Sequence, residues 1–294
     1  MVGGERKLTA APSPFKLETA QHSVSASGKR YSQLTEFVAR VIAGLIGAGI
    51  FAFGARRMRA LSTSGAFAGT VVGTIALAAG WNWGILLVAH FISASALSKL
   101  GEKRKARLVG AVVEKGDHRD AKQVLANGGV YALAAIAYML SRTNAWYAVG
   151  IGALAASAAD TWATEIGTLA GRNPRSIVSG QPVPAGTSGG VSLIGTIASL
   201  GGALFIAAGA AIARWPVPFT AVVLGGLAGA MADSLLGATL QTRRWCDVCA
   251  KPTERPVHNC GNRTRRTGGV RGFDNDAVNA VCSGVGALVA LLLS

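Results

Sequence analysis

Apolar runs set the rhythm of this chain. Eight stretches, near 35–54, 64–80, 84–98, 126–141, 146–168, 189–213, 216–238 and 275–293, are almost free of charge, and most approach the roughly 17 to 25 residues that a helix needs to cross a hydrocarbon layer. A bilayer offers backbone N–H and C=O groups no outside partner, so such runs predict helices. The pattern therefore predicts an all-α polytopic membrane bundle of about seven or eight transmembrane helices. The 64–80 and 84–98 runs are short and joined only by Gly80-Trp-Asn-Trp83, which predicts a tight hairpin or a re-entrant pair. Residues 1–33 are rich in Ser, Ala and Lys and lack an apolar signal core, so they read as a disordered tail ahead of a transmembrane domain over 34–294.

Composition agrees with the pattern. Half of the residues are hydrophobic, 15% are charged and 39 are glycine, more apolar and glycine-rich than an ordinary soluble domain. The net charge of +15 would suit a nucleic-acid partner, but its position argues otherwise. Arg56, Arg57 and Arg59 follow the first run, eight Lys or Arg fall within 99–128, Arg172 and Arg175 follow the fifth run, and eight more fall within 239–274. With eight spans these loops share one face, and a positive excess in short loops marks that face as cytoplasmic. The same count puts the N-terminus on the other side, although residues 1–33 carry five cations against two acids.

Acids inside the apolar runs point to function, because carboxylates at membrane depth are costly. Ala159-Asp-Thr-Trp-Ala-Thr-Glu-Ile-Gly167 carries Asp160 and Glu165, and Ala232-Asp-Ser-Leu-Leu-Gly237 carries Asp233. At about 100° per residue Asp160 and Glu165 diverge by about 140°. Either the helix loosens near Gly167 or the two acids have different partners. Gly229 and Gly237 lie one turn on either side of Asp233, leaving room for close approach. Asn275, Asp276 and Asn279 share a face at the start of the last run; capping is the plain alternative for Asn275 and Asp276.

The loops hold the remaining chemistry. Within 242–272, Cys246-Asp-Val-Cys249 and His258-Asn-Cys260 form a C-x-x-C…H-x-C pattern suited to a closed tetrahedral Zn²⁺ site; reduced, unmetallated thiols are the alternative. Cys282 reads as a small core residue. The turn Gly186-Thr187-Ser188-Gly189-Gly190 opens into the sixth run, where backbone N–H groups at a helix N-terminus could take phosphate oxygens. It lacks the Lys of a Walker loop, and such a turn also simply starts helices. Lys99, Arg119, Lys122 and Asn127 stand where loops meet the membrane; they could neutralise an anion or serve as ordinary positive flanks.

These motifs together resemble the DUF92 integral membrane proteins, which include TMEM19-like proteins and the plant phytyl-phosphate kinase. The resemblance runs from about Leu61 to Leu288, through Leu61-Ser-Thr-Ser-Gly-Ala66, Lys122-Gln-Val-Leu-Ala-Asn-Gly-Gly129, the two acidic motifs, Val183 to Ser192 and Asn275-Asp276-x-Val278-Asn279. It implies a multi-pass membrane protein that passes a phosphoryl group from a nucleoside triphosphate to an isoprenyl monophosphate, with Mg²⁺ at Asp160 and Asp233. Glu165 joins those acids as a catalytic candidate. Lys99, Lys122 and the glycine turn fit the phosphates, and a membrane lipid and a nucleotide are the expected partners. The rivals are a carrier or flippase for an anionic solute and a non-catalytic membrane protein. A carrier calls for matched inverted halves with acids deep in the bilayer, whereas a kinase gathers acids, cations and the glycine turn at one interface.

Overall fold

The computed structural model describes residues 34–102, 104–105, 118–171 and 174–294, with backbone alone for 14–33. Parts of the basic loops, including Lys103, Arg107, Lys115 and Arg172, and the first thirteen residues of the expected tail lie outside the described residues. The described chain forms eight long helices: α1 (Pro14–Arg57), α2 (Thr63–Ala79), α3 (Trp81–Lys99), α4 (Ala121–Ser141), α5 (Ala145–Ala170), α6 (Leu193–Ile212), α7 (Phe219–Thr239) and α8 (Asn275–Leu292). Helical backbone thus runs back to Pro14, into the stretch read as a tail. Five helices are long and apolar enough to cross a membrane: Leu34–Arg57, α4, α6, α7 and α8. The protein is an integral membrane helix bundle, as the hydrophobic pattern predicts.

α5 is the axis. It packs against α3, α4, α6, α7 and α8, and every residue from Ile151 to Ala159 is buried. Its packing face is built from Ala and Gly, so backbones meet closely. A Cβ on Gly286 of α8 would lie 2.6 Å from the Gly152 carbonyl oxygen of α5 and 3.1 Å from that of Gly225 on α7, a three-helix contact that only small residues permit. α2 and α3 are joined at Gly80, whose carbonyl accepts from the Trp83 and Gly84 amides of α3.

The two ends of the bundle are held differently. At one end the connections α1–α2, α3–α4, α5–α6 and α7–α8 gather, and the helices starting there are capped by side chains: Ser62 on α2, Asp120 with Gln123 in a capping box on α4, Ser192 on α6 and Asp274 on α8. Each cap satisfies one of the orphan amides of a helix N-terminus. The capping box also explains why α4 begins at Ala121, ahead of the apolar run at 126: its first turn is polar yet stably helical. At the opposite end α3, α5 and α7 start without a side-chain cap. There Trp83, Tyr138, Tyr147 and Trp215 stack with ring centroids 4.6–5.9 Å apart, and aromatic packing ties the helices together.

Two small sheets, not visible in the hydrophobic pattern, decorate the capped end. β1 (Arg175–Ser176) pairs with β2 (Gly190–Val191), closing the loop that carries the glycine turn. β3 (Arg243–Cys246), β4 (Lys251–Thr253) and β5 (Arg265–Gly268) form an antiparallel sheet in the order β4-β3-β5 that frames the Cys/His loop.

Candidate functional site

α5 stays regular to Ala170, so its two acids must point different ways. Asp160 meets Asp233 of α7, close enough for each carboxyl to act on the other. Two neighbouring buried carboxyls cannot both be bare anions; they need a shared proton or a cation. The Oδ1 of Asp233 is buried with no hydrogen-bond partner, and an unsatisfied buried carboxyl oxygen is costly. Cys282 of α8 borders the same pair, in the buried small-residue role its sequence position implies.

Glu165 is not part of that centre. The helix carries it to the α3 side, where Ser98 Oγ donates to Oε1 at 2.5 Å and Lys105 Nζ donates to Oε2 at 2.5 Å. Lys105 is held further by the carbonyls of Leu97 and Ser98 at 2.8 and 2.6 Å. Both Glu165 oxygens are occupied, so the residue serves as an anchor for the α3–α4 connection.

The glycine turn docks on α7 beside Asp233. Gly189, at φ +77°, lies so close that a Cβ there would sit 2.4 Å from the Ala238 Cβ and 2.7 Å from the Ser234 carbonyl oxygen. Only glycine combines that backbone conformation with that approach. Ser188 Oγ donates to Glu254 Oε1, and Glu254 is close enough to Asp233 to act on it electrostatically. Glu254 thus links the Cys/His loop to the glycine turn beside the acidic pair. Sequence reading missed it because it sits in an exposed-looking polar loop, distant in sequence from both Asp motifs. The N-terminus of α6 is capped by Ser192, whose hydroxyl accepts from the Gly195 amide; the glycine turn itself faces α7.

Of the other expected residues, Asn127 accepts from Ser157 Oγ at 2.9 Å, which also lies 3.3 Å from His90 Nε2. Asn127 therefore reaches α5 one turn before Asp160 and joins a buried polar chain with His90 and Ser157. Asp274 provides the cap of α8, which leaves Asn275 at the helix start, Asp276 buried behind it and Asn279 a turn further on, half-buried. Lys122 is exposed at the start of α4. Lys99 and Arg119 line a separate cavity of about 480 Å³ at the ends of α1 and α3. Burial pulls the Arg119 guanidinium below its usual range, against the opposing effect of Glu165.

The ligand atoms of Cys246, Cys249, His258 and Cys260 all lie within 4.8 Å of one another. Cys246 Sγ is 3.6 Å from Cys260 Sγ, and His258 Nδ1 is 3.3 Å from the same sulfur. That sulfur pair is too far apart for a disulfide, whereas bonds of about 2.3 Å to a central Zn²⁺ place thiolates about 3.8 Å apart. The donor set fits a tetrahedral zinc. Hydrogen bonds from Asn262 pull the Cys260 thiol down to about 6, while its bond with Cys260 pushes Cys249 up to about 11.

Residues 46–287 match the model of the integral membrane protein family DUF92. The chain is 33% identical to Protein PGR of Arabidopsis thaliana over 271 residues, covering 82% of this chain and 92% of PGR. It is 32% identical to an uncharacterized membrane protein of Methanocaldococcus jannaschii over 192 residues, covering 64% of this chain and 78% of that protein. It is also 26% identical to the chloroplastic Protein VTE6 of Arabidopsis thaliana over 241 residues, covering 79% and 65% of the two chains. No solved structure matches. With most of its length matched, this chain belongs to the DUF92 family of integral membrane proteins.

Proposed function

We propose that this protein is a membrane-embedded phosphotransferase that moves a phosphoryl group from a nucleoside triphosphate to a lipid monophosphate of the isoprenyl type. The observation that carries this reading is the Asp160–Asp233 pair, brought together by α5 and α7 at the capped end, with a buried, unpartnered Asp233 oxygen beside the glycine turn. The family resemblance to a plant phytyl-phosphate kinase supplies the substrate class.

Asp160 and Asp233 would hold Mg²⁺, which suits oxygen donors and offsets paired acids where a proton otherwise must. Bound there, the metal would screen charge on the transferring phosphoryl group. The remaining amides of the glycine turn would orient the donor phosphates beside Asp233. Cations at the same end attract the acceptor. A lipid phosphate is already an anionic nucleophile at neutral pH, so the chain need supply position and charge neutralisation more than a base. Cys246, Cys249, His258 and Cys260 would hold one Zn²⁺ as a closed structural site, with no open position for substrate.

Purified protein in detergent, supplied with farnesyl or phytyl monophosphate, Mg²⁺ and labelled nucleoside triphosphate, should form the lipid diphosphate. Asp233→Asn should abolish product while elution and thermal unfolding stay unchanged. Full turnover by folded Asp160→Asn and Asp233→Asn proteins would refute the proposal. Uptake of an anionic solute by proteoliposomes without product formation would favour a carrier.

A further inference from the structure

We infer that the cavity at the ends of α1 and α3 is a separate binding site for the phosphate head of an anionic lipid, distinct from the Asp160–Asp233 centre. The pocket stands apart from the phosphotransferase centre and does not depend on that reading: it holds a lipid head group whether or not the acidic centre transfers phosphate. The two sites lie on different faces of α5, one reached through Asp160 and the other backed by Glu165.

The cavity is built around Arg119. Its backbone is pinned on both sides, its amide donating to the Ala60 carbonyl at 3.1 Å and its carbonyl accepting from the Ser62 amide at 3.0 Å. Gly65 makes this approach possible, since a Cβ there would lie 2.0 Å from the Arg119 carbonyl oxygen. The guanidinium is then held over the Phe91 ring at 5.6 Å, while Nη1 donates to Ser95 Oγ at 2.9 Å and Nη2 donates to Ser98 Oγ at 3.1 Å. Both of these partners are neutral. Glu165, which accepts from the same Ser98 hydroxyl, is paired with Lys105. A shielded, rigidly placed arginine whose hydrogen bonds run to hydroxyls is poised for an anion, and its planar fork suits phosphate oxygens.

The rest of the lining agrees. Among the described residues the lining holds three cations, Arg59, Lys99 and Arg119, and one acid, Glu102, an excess of positive charge that suits a phosphate monoester. The rim supplies the lipid part of the argument. Met58 in the wall and Leu100 beside Lys99 are exposed apolar residues, as are Phe53 and Ile50 on α1 and Ile92 on α3. A head group seated on Arg119 can leave an acyl or isoprenyl tail along these flanks, at the membrane boundary where the helices end. A free nucleotide has no use for that apolar rim.

The test is binding without turnover. Wild-type protein in nanodiscs, in EDTA and without nucleotide, is titrated with farnesyl monophosphate, farnesol, inorganic phosphate and adenosine triphosphate. Farnesyl monophosphate should bind best, with farnesol and inorganic phosphate each at least about tenfold weaker, since each lacks one half of the recognition. Arg119→Gln should weaken farnesyl monophosphate binding by about tenfold or more, and Arg119→Lys by less because charge remains while the fork is lost. Asp233→Asn should leave this binding unchanged. Wild-type-like affinity in folded Arg119→Gln and Arg119→Lys proteins overturns the site. Equal affinity for adenosine triphosphate and farnesyl monophosphate overturns the lipid assignment. Either failure leaves the Asp160–Asp233 reading standing, while Arg119-dependent binding by a protein with no transferase activity would remove that reading and keep this pocket.

Discussion

Asp160 and Glu165 stand five residues apart on one helix, in the same short motif, yet they have opposite fates. Glu165 has both oxygens occupied, by Ser98 and by Lys105. Asp160 faces another carboxyl, and that partner, Asp233, has a buried oxygen with no hydrogen bond at all. A satisfied acid near a helix end is an anchor, whereas a pair of acids facing each other needs a shared proton or a cation. Helix periodicity alone produces the split: about 140° of rotation sends one to α7 and the other to α3.

The sharpest way to break this contrast is to remove one carboxylate from each face. Asp233→Asn should lower phosphoryl transfer on the order of a thousandfold or more with the fold intact. Glu165→Gln should instead lower stability, by about 3 kcal/mol, because it strands the shielded Lys105, and leave turnover per folded molecule within about tenfold of wild type. Kinetics and thermal unfolding measured on both proteins decide it. An equal loss of turnover in both would merge the two faces into one site. Next in size, Gly189→Ala should cost roughly a hundredfold in turnover, since the added methyl pushes the turn off Ala238 and displaces the donor phosphates. Gly286→Ala, at an equally tight contact far from the acids, should unfold the bundle at lower temperature before it touches turnover.

Smaller effects test how the Cys/His loop serves the acidic face. Glu254→Gln should weaken apparent Mg²⁺ affinity by about tenfold, read from the metal dependence of the rate. Cys249→Ser should remove zinc, expose 242–272 to proteolysis and reproduce the Glu254→Gln defect, because the loop then no longer presents that carboxylate to Ser188. Zinc uptake at neutral pH should release protons, Cys249 contributing one because its thiol lies near 11 before the metal binds. Calorimetry in buffers of different ionisation enthalpy measures this, and affinity should rise with pH. Lys122→Ala, at an exposed position, should change none of these quantities.

Much of the architecture is legible in the linear pattern, since the eight apolar runs match eight helices; α4 extends past its run by a polar first turn at Ala121, and α1 runs back to Pro14, well ahead of its run. The hairpin at Gly80 and the clustering of all basic connections at one end follow from counting spans. The Cys/His quartet is legible because its spacing is short and local. Glu254 and Lys105 were not legible: nothing in a polar loop distinguishes the acid or base that will fold back onto a buried partner. The cap of α8 likewise falls to Asp274, one residue before the pair that sequence reading singled out.

The sequence by itself therefore determined which segments form apolar helices, which end carries the positive charge and which acids are expensive enough to need a reason. These are local properties, set by transfer free energies and helix periodicity. Only the tertiary structure decided which acids meet. That Asp160 finds Asp233, that Glu165 is spent on Lys105, and that Arg119 is pinned beneath Gly65 over an open cavity all depend on backbones brought together by small residues on α2, α5, α7 and α8. Such close packing couples residues far apart in the chain, and no pattern along a single helix encodes its partner's phase.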